Sequence, residues 1–344
     1  MKKLILALML SIICIGVNAQ TPEEAAKINQ WIDTYKQLNE AKDWNSMLSK
    51  AGQCKQEAPN WEYVYYYSGI ANYNLQKYDD AIMNLSIFID KNKTEAGAYL
   101  LRGHSFSAKK ELAKAIADYD KYLETNPNDI PTMLAKANAY LNANDLNGYI
   151  TELGTVLLKD PNNVSLLENR ANAYAKIGNW QGAVTDYTKL ISLDAKKVDY
   201  YNNRAYANYS LKTPESFKLA IADYNKVVEL GAANEATYTA LTTLNSAMKD
   251  YKAEILAWDK LIELSPSNMD NVYRRGAAKY NNNDYKGAIA DFDKVISADP
   301  KHINALKRRA TAKTKAGDKV GAQADGKLIR ELEGKPAPTA PVKK

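Results

Sequence analysis

The sequence predicts an all-α fold, an α-solenoid superhelix of about nine helix-turn-helix repeats. Three observations lead to this prediction. Prolines recur at a spacing of 34 residues, as between Pro127 and Pro161. A segment Ala-Ile-Ala-Asp followed by an aromatic residue recurs, beginning at Ala115, Ala220 and Ala288. The composition, 46% hydrophobic and 25% charged, is that of a folded chain. A fixed period of this length indicates an array of stacked repeats rather than two globular domains.

Placing the prolines at position 32 of the repeat divides residues 28–336 into nine units, numbered one to nine in chain order. Repeat six is three residues longer because of an insertion at Thr213-Pro214-Glu215, which we expect to lengthen the turn inside that repeat. The predicted repeats are 28–61, 62–95, 96–129, 130–163, 164–197, 198–234, 235–268, 269–302 and 303–336.

Each repeat is predicted to hold helix A over about positions 1–14 and helix B over about positions 18–31. Position 8 is Gly or Ala in seven repeats and position 20 is Ala in six, so two helix backbones can approach closely. Aromatic side chains at positions 17 and 24 fill the space beside them. Position 16 carries Asp, Asn or Ser in seven repeats, including Ser216 in repeat six, and is expected to cap helix B. Proline at position 32 ends helix B.

This unit resembles the tetratricopeptide repeat, which has the same period and the same small and aromatic positions. Repeat eight is a close match, with Tyr273, Gly276, Tyr285, Ala288, Phe292 and Pro300. The resemblance covers about residues 28–335, and its first and last units are degenerate, as capping repeats are. Repeat seven departs from the pattern, with Thr242 and Glu254 at the small positions. The resemblance implies a non-catalytic scaffold for protein–protein interaction.

The first nineteen residues predict a secretory signal peptide that is cleaved before Gln20. Lys2 and Lys3 precede an apolar run of 14 residues, and the run is shorter than the roughly 20 residues that span a membrane. We therefore expect an exported protein, periplasmic or envelope-associated, with no stable membrane span. Its start resembles that of exported proteins of Bacteroidetes-type bacteria. Residues 20–27 are a predicted lead-in and residues 337–344 a predicted flexible tail.

The repeats also predict a set of ion pairs, because charges at positions 7 and 23 change together. Five repeats carry Arg at position 7 and Asp at position 23, repeat four has Lys136 and Glu152, and repeat seven has Leu241 and Ala257. A ligand-gripping ladder of arginines would not need the helix B partner, so we interpret the pairs as structural. The five predicted pairs are Arg102 with Asp118, Arg170 with Asp186, Arg204 with Asp223, Arg275 with Asp291, and Arg309 with Asp325.

The family resemblance implies a concave groove formed by positions 2, 5, 9 and 12 of helix A. These positions are rich in Tyr and Asn, which suit the binding of a protein or an extended peptide. Tyrosine in place of phenylalanine as core filling stays an alternative, since the chain has 24 Tyr and 4 Phe. The candidate groove residues are Tyr63, Tyr66, Tyr73, Asn138, Asn172, Asn202, Tyr206, Tyr209, Tyr273 and Tyr280. A second hypothesis is an accessory subunit of a cell-envelope assembly, bound through a convex or edge face.

Several function classes lack support in the sequence. His104 and His302 are the only histidines and have no Cys or His at ligand spacing, so neither a metal site nor a cofactor is expected. No Gly-rich phosphate loop and no catalytic arrangement occurs. The net charge of +6 falls to +4 on cleavage and is too dispersed for nucleic acid. Cys54 is expected to be a small buried side chain. The oligomeric state stays open.

Overall fold

The computed structural model describes residues 21–334, which form eighteen α-helices and no β-strand. The predicted signal peptide, the cleavage point before Gln20 and the predicted tail lie outside these residues. The helices are α1 (Pro22–Glu40), α2 (Trp44–Glu57), α3 (Tyr63–Asn74), α4 (Tyr78–Lys91), α5 (Ala96–Ala108), α6 (Leu112–Thr125), α7 (Ile130–Asn142), α8 (Leu146–Lys159), α9 (Val164–Lys176), α10 (Trp180–Leu193), α11 (Val198–Leu211), α12 (Pro214–Glu229), α13 (Glu235–Ala247), α14 (Tyr251–Leu264), α15 (Met269–Asn281), α16 (Tyr285–Ala298), α17 (Ile303–Lys315) and α18 (Lys319–Leu332).

The helices form two compact units, residues 21–166 and residues 167–334. Successive helices pack against one another from α1 to α8 and from α10 to α18, which is the arrangement of an α-solenoid. The predicted all-α class is therefore confirmed. Helix B begins one residue earlier than expected, at position 17, and the first helix begins at Pro22 rather than Ile28. The early start follows from Thr21, whose side chain accepts a hydrogen bond from the Glu24 N–H, and from Pro22 in the first turn.

The turn between helices A and B has the same backbone conformation in all nine repeats. Position 15 has a positive φ in each of them, yet it is glycine only at Gly178 and Gly317. The other seven are Lys42, Gln76, Lys110, Asn144, Lys212, Lys249 and Asn283. Left-handed backbone is costly for residues with a Cβ, so seven repeats tolerate a local strain to make a short turn.

Replacing Lys110 with glycine is expected to raise the free energy of unfolding by roughly 0.5–1 kcal/mol. Lys110 has φ 62° and is exposed, so glycine relieves the strained backbone without loss of packing. The matched control is Ala143→Gly, at an exposed turn residue with φ −79°, which should lower stability instead. Urea denaturation of both variants measures the difference, and a destabilised Lys110→Gly chain would contradict the assignment of strain.

Position 16 caps helix B in six repeats, where its side chain accepts the N–H of the residue three places on. These six caps are Asp43, Asp145, Asn179, Asp250, Asp284 and Asp318. The prediction that Ser216 caps α12 is wrong. Thr213 caps this helix, with Pro214 following it, and Ser216 closes a reciprocal capping box. The insertion therefore does not lengthen the turn: it extends α12 to 16 residues, against 14 for α10, because Thr-Pro starts a helix one turn early.

The core lies between the two helices of each repeat and between adjacent repeats. A Cβ at Gly103 would stand 2.9 Å from the Tyr119 ring, and one at Gly276 would stand 2.9 Å from the Phe292 ring. Position 8 is thus small because the aromatic residue at position 24 occupies its space. In residues 21–166, a further aromatic cluster includes Trp31, Tyr35, Trp61, Tyr67 and Phe88.

Cys54 is fully buried in that cluster, and burial, followed by the nearby Glu57, raises the pKa of its thiol to about 12. Since the thiolate is the reactive form, the folded protein should resist thiol reagents. We expect the chain beginning at Gln20, whose one thiol is Cys54, to react with iodoacetamide at neutral pH only after unfolding. Mass spectrometry of native and urea-treated samples checks this. Rapid alkylation of the native sample would contradict the buried placement.

Candidate functional site

The charged residues at positions 7 and 23 meet in every repeat that carries them. In the five Arg–Asp repeats the guanidinium Nε and Nη2 donate to the two carboxylate oxygens, at 2.6–3.0 Å. The carboxylates are buried: Asp186 is 1% exposed and Asp291 is 2% exposed. Bidentate pairs of this kind fix side-chain geometry. They hold helix A against helix B, which agrees with the structural interpretation.

The pairs differ in detail from one repeat to another. Lys136 in repeat four contacts Glu152 at 2.6 Å. Asp291 accepts from Lys279 as well as from Arg275, and Lys313 contacts Asp325 in the same way at 3.1 Å. The hydrogen bonds that Arg170 donates to Asp186 raise the pKa of Arg170. Burial raises the pKa of Asp223 although Arg204 opposes that shift.

Position 25 of helix B supplies a second acceptor, which links a repeat to the next one in five places. Arg275 Nη1 donates to Asp259 of the preceding repeat at 2.8 Å, and Arg309 Nη1 donates to Asp293 at 2.7 Å. The equivalent acceptors are Ser86 for Arg102, Asp120 for Lys136 and Thr188 for Arg204. Sequence reasoning missed this contact. Its signal was the polar residue at position 25 in most repeats.

Of the four candidate groove residues in the first unit, two are buried in the core. Tyr63 and Tyr66 are 5% and 4% exposed, so their assignment to a binding groove is wrong. Both rings pack on Phe88, at centroid distances of 4.9 and 5.1 Å. Burial raises the pKa of Tyr63 to about 12 and raises that of Tyr66 further. Tyr73 is half-buried against Tyr78, while Asn138 is exposed.

In the second unit, four candidates are engaged with neighbours or partly covered. Asn172 is exposed, and its Oδ1 accepts a hydrogen bond from the Tyr187 hydroxyl at 2.8 Å. Tyr273 is half-buried, and its hydroxyl accepts from Arg308 Nε at 2.8 Å. Tyr280 is half-buried beside another tyrosine ring, and Asn202 is half-buried. These four have less free contact surface than the sequence suggested.

Tyr206 and Tyr209 are the most exposed of the candidate tyrosines, at 56% and 40% of their surface. They lie on α11, where Trp180 holds the Tyr206 ring edge-on at 5.7 Å and Phe217 stacks on Tyr209 at 5.8 Å. Each ring therefore packs against another aromatic ring of the chain and still exposes 40% or more of its surface. Such preorganised aromatic surfaces bind partners at a low entropic cost.

The two rings line one wall of an open cavity of about 710 Å³ between α11 and α13. We call this cavity the tyrosine groove. Its other residues are Tyr224, Asn234, Glu235, Ala236, Thr239, Ala240, Thr243 and Leu244. Small side chains on α13 leave the room in front of the tyrosines, and the α13 half of the groove was missed by sequence reasoning. Hydroxyl groups, the Asn234 side-chain amide and one carboxylate, Glu235, are the polar groups that can orient a bound chain.

Within residues 21–334, no group of three or more His, Cys, Asp or Glu side chains is placed to hold a metal ion. The histidines have other contacts. His104 Nδ1 lies 3.0 Å from the Tyr119 hydroxyl, and burial lowers the His104 pKa. His302 caps α17 through Nδ1. No helix among the described residues has the length and apolar character needed to cross a bilayer.

Comparisons with known proteins bear on the family. Two tetratricopeptide-repeat models match the chain, one at residues 68–130 and 168–235 and the other at residues 270–302. None of the curated proteins compared matches the chain.

Solved structures give partial overlaps. A MamA protein is 22% identical, covering 50% of this chain and 92% of its own, with a TM-score of 0.41. YrrB, described as a TPR protein with an unusual peptide-binding site, is 18% identical over 53% of this chain and 92% of its own, with a TM-score of 0.41. The C-terminal part of a repeat protein from Cytophaga hutchinsonii is 17% identical over 70% of this chain and 97% of its own, with a TM-score of 0.42. At these sequence identities and TM-scores, the similarities do not identify a ligand or a partner of this chain.

The matched segments coincide with the repeats that the sequence pattern and the helices delimit. A glycine at position 8 beside the side chain at position 24, a side-chain cap on helix B and a short turn with a positive φ recur among the repeats. The chain therefore belongs to the tetratricopeptide-repeat family, whose stacked helix pairs serve as protein-interaction scaffolds.

Proposed function

We propose that this protein is an exported scaffold that binds a peptide segment of a partner protein in the tyrosine groove. The observation that carries the proposal is the pair Tyr206 and Tyr209, exposed, held from behind and facing a cavity of about 710 Å³. A cavity of this size accepts several side chains of an extended or helical segment.

The groove chemistry favours a peptide over a small charged ligand. Tyr206, Tyr209 and Tyr224 offer aromatic faces with hydroxyls, and Thr239 and Thr243 add hydroxyls on the other wall. Such side chains bind apolar residues and also hydrogen-bond to peptide groups. The one ionised group among the lining residues is Glu235, so the groove has no cationic cluster to hold phosphate or carboxylate.

Export is part of the proposal and rests on the N-terminal pattern. An apolar run between Lys3 and a small-residue cleavage point is typical of a secreted precursor. The partner would then be another exported or envelope protein. Mass spectrometry of the chain purified from its native host should show an N-terminal peptide that begins at Gln20, as glutamine or as its cyclised pyroglutamate form, and retention of Met1 would contradict export by this route.

Site-specific photo-crosslinking tests the groove. A benzophenone amino acid placed at Tyr206 should crosslink a discrete partner in cells, because this side chain stands at the mouth of the groove. The same amino acid at Met83, an exposed residue outside the groove (54% exposed), is the matched control.

The captured partner is then purified and its affinity measured by calorimetry. We expect Tyr206→Ala with Tyr209→Ala to weaken binding by about tenfold or more, as loss of aromatic anchors does. A control pair of exposed apolar side chains, Met83→Ala with Leu158→Ala, should leave the affinity unchanged. Equal crosslinking from both positions, or unchanged affinity in the tyrosine variant, would argue for a convex or edge face instead.

A further inference from the structure

Repeat seven lacks the bridging arginine that joins its neighbours. In repeats six, eight and nine, an arginine at position 7 bridges Asp at position 23 and an acceptor at position 25 of the preceding repeat. Repeat seven has Leu241 and Ala257 at positions 7 and 23, while Asn225 stands at position 25 of repeat six. The polar bridge is therefore absent from the seam between repeats six and seven.

A second cavity, of about 640 Å³, opens at this seam between α12, α13 and α14. Leu241, Ala257 and Asn225 all line it, so the space lies among the positions that the bridge occupies elsewhere. The remaining apolar lining is Ile221, Val228, Tyr238, Ala253 and Leu256. Leu256 is 67% exposed, which leaves an apolar side chain at the rim. We call this cavity the vacant seam.

The vacant seam and the tyrosine groove lie on different faces of α13. Thr239 and Thr243 face the groove, whereas Tyr238, Leu241 and Asn245 face the seam. Since residues at these spacings point to different sides of a helix, the two cavities can be occupied independently.

The charges around the vacant seam are mainly negative. Asp250, Asp259 and Glu263 line it together with one cation, Lys260, which contacts Glu263 at 2.7 Å. Asp259 also accepts from Arg275, whose other nitrogens are directed to Asp291. Asp250 accepts the backbone N–H of Ala253. All four side chains have partners within the chain, but three are carboxylates and one is an ammonium group, so the lining favours an approaching cation over an anion.

We propose that the vacant seam is a second docking site, for a helical segment of a partner protein with one aliphatic anchor flanked by lysine or arginine. The anchor enters the space lined by Leu241 and Ala257, and the flanking cations lie over Asp250 and Glu263. In repeats six, eight and nine, the arginine side chain of position 7 crosses the corresponding space and joins two repeats. In the vacant seam that side chain comes from another protein.

A synthetic probe tests the site directly. The probe is an alanine-based helical peptide with one leucine and a lysine one helical turn to either side, titrated into the full chain and followed by NMR or calorimetry. The control peptides replace the lysines with glutamates or the leucine with alanine. We expect each control to bind at least about tenfold more weakly than the probe.

Variants of the chain complete the test. Leu241→Arg with Ala257→Asp rebuilds the pair of the neighbouring repeats, fills the space and should weaken the probe by about tenfold or more. Leu256→Lys changes only an exposed rim residue, so it should fold normally and also weaken the probe. Tyr206→Ala with Tyr209→Ala should leave probe binding unchanged, which separates this site from the tyrosine groove.

Three results would overturn the proposal. One is equal binding of the lysine and glutamate peptides, another is undiminished binding to both the pair-rebuilding variant and Leu256→Lys, and the third is no binding of the probe. If the pair-rebuilding variant fails to fold, as judged by circular dichroism, Leu256→Lys alone decides the outcome.

Discussion

Replacing Asp291 with alanine is expected to lower the free energy of unfolding by about 3 kcal/mol or more. Asp291 is 2% exposed and accepts hydrogen bonds from Arg275 at 2.6 and 2.9 Å and an ion pair from Lys279 at 2.9 Å. Its removal takes away the carboxylate that Lys279 contacts and leaves Arg275 with Asp259 as its remaining acceptor, beside an empty space. An unpaired buried charge costs far more than the pair contributes.

The control is supplied by the chain itself. Repeat seven carries Leu241 and Ala257 where repeat eight carries Arg275 and Asp291. The double variant Arg275→Leu with Asp291→Ala copies that arrangement, so it should recover much of the stability lost by Asp291→Ala alone. Urea denaturation of the two single variants and the double variant gives the coupling energy. Additive losses would show that the two side chains do not depend on each other.

Replacing Phe88 with alanine is expected to cost about 3–5 kcal/mol. Phe88 is fully buried, and its ring lies 4.9 Å from the Tyr63 ring and 5.1 Å from the Tyr66 ring. The variant opens a void in the aromatic cluster of the first unit. Because a repeat array loses its weakest repeats first, residues near α3 and α4 should show the largest loss of amide protection.

Met83→Ala is the matched control for Phe88→Ala. Met83 lies on the same helix, α4, but is 54% exposed, so its truncation should change stability by less than about 0.5 kcal/mol. Hydrogen exchange and urea denaturation measure both variants. Similar small effects for the two would contradict the placement of Tyr63 and Tyr66 in the core.

The helices and repeats were predictable because they depend on local patterns. Small residues at position 8, such as Gly103 and Gly276, indicate close helix contact wherever they occur. The turn was harder, since five positive-φ positions are lysine or glutamine, residue types that do not indicate this conformation. The inserted Thr213-Pro214 predicts a longer turn when it is read alone, because the capping box that starts α12 there depends on Ser216, three residues after Thr213.

The candidate site was only partly predictable, because periodicity gives the face of a helix but not what covers it. Tyr66 and Tyr206 both lie on the predicted inner face, at positions 5 and 9 of helix A. Tyr66 is buried in the same cluster as Leu101, which lies at position 6 of the following repeat. After Tyr206 the corresponding residue is Ala240, whose small side chain leaves the groove open. The size of the side chains on the following repeat therefore determines how much of each tyrosine ring is exposed.

Covariation among the repeats predicts the pairing of positions 7 and 23, but it does not predict the bridge from one repeat to the next. Arg275 and Asp291 change together with their counterparts in repeat seven, which points to direct contact. The third partner, Asp259, stands at position 25, which is Ser, Thr, Asn or Asp in six repeats, Gly in two and Lys in one, so this position has no charge pattern. An uncharged acceptor such as Thr188 fulfils the same role, because a hydroxyl also accepts a hydrogen bond from a guanidinium.

The most direct measurement of the central claim is the affinity of the crosslinked partner for three forms of the chain. The wild-type chain and the Met83→Ala with Leu158→Ala variant should bind with equal affinity. The Tyr206→Ala with Tyr209→Ala variant should bind at least about tenfold more weakly while its circular dichroism and urea midpoint stay unchanged. Equal affinity in all three forms would contradict the tyrosine groove as the binding site.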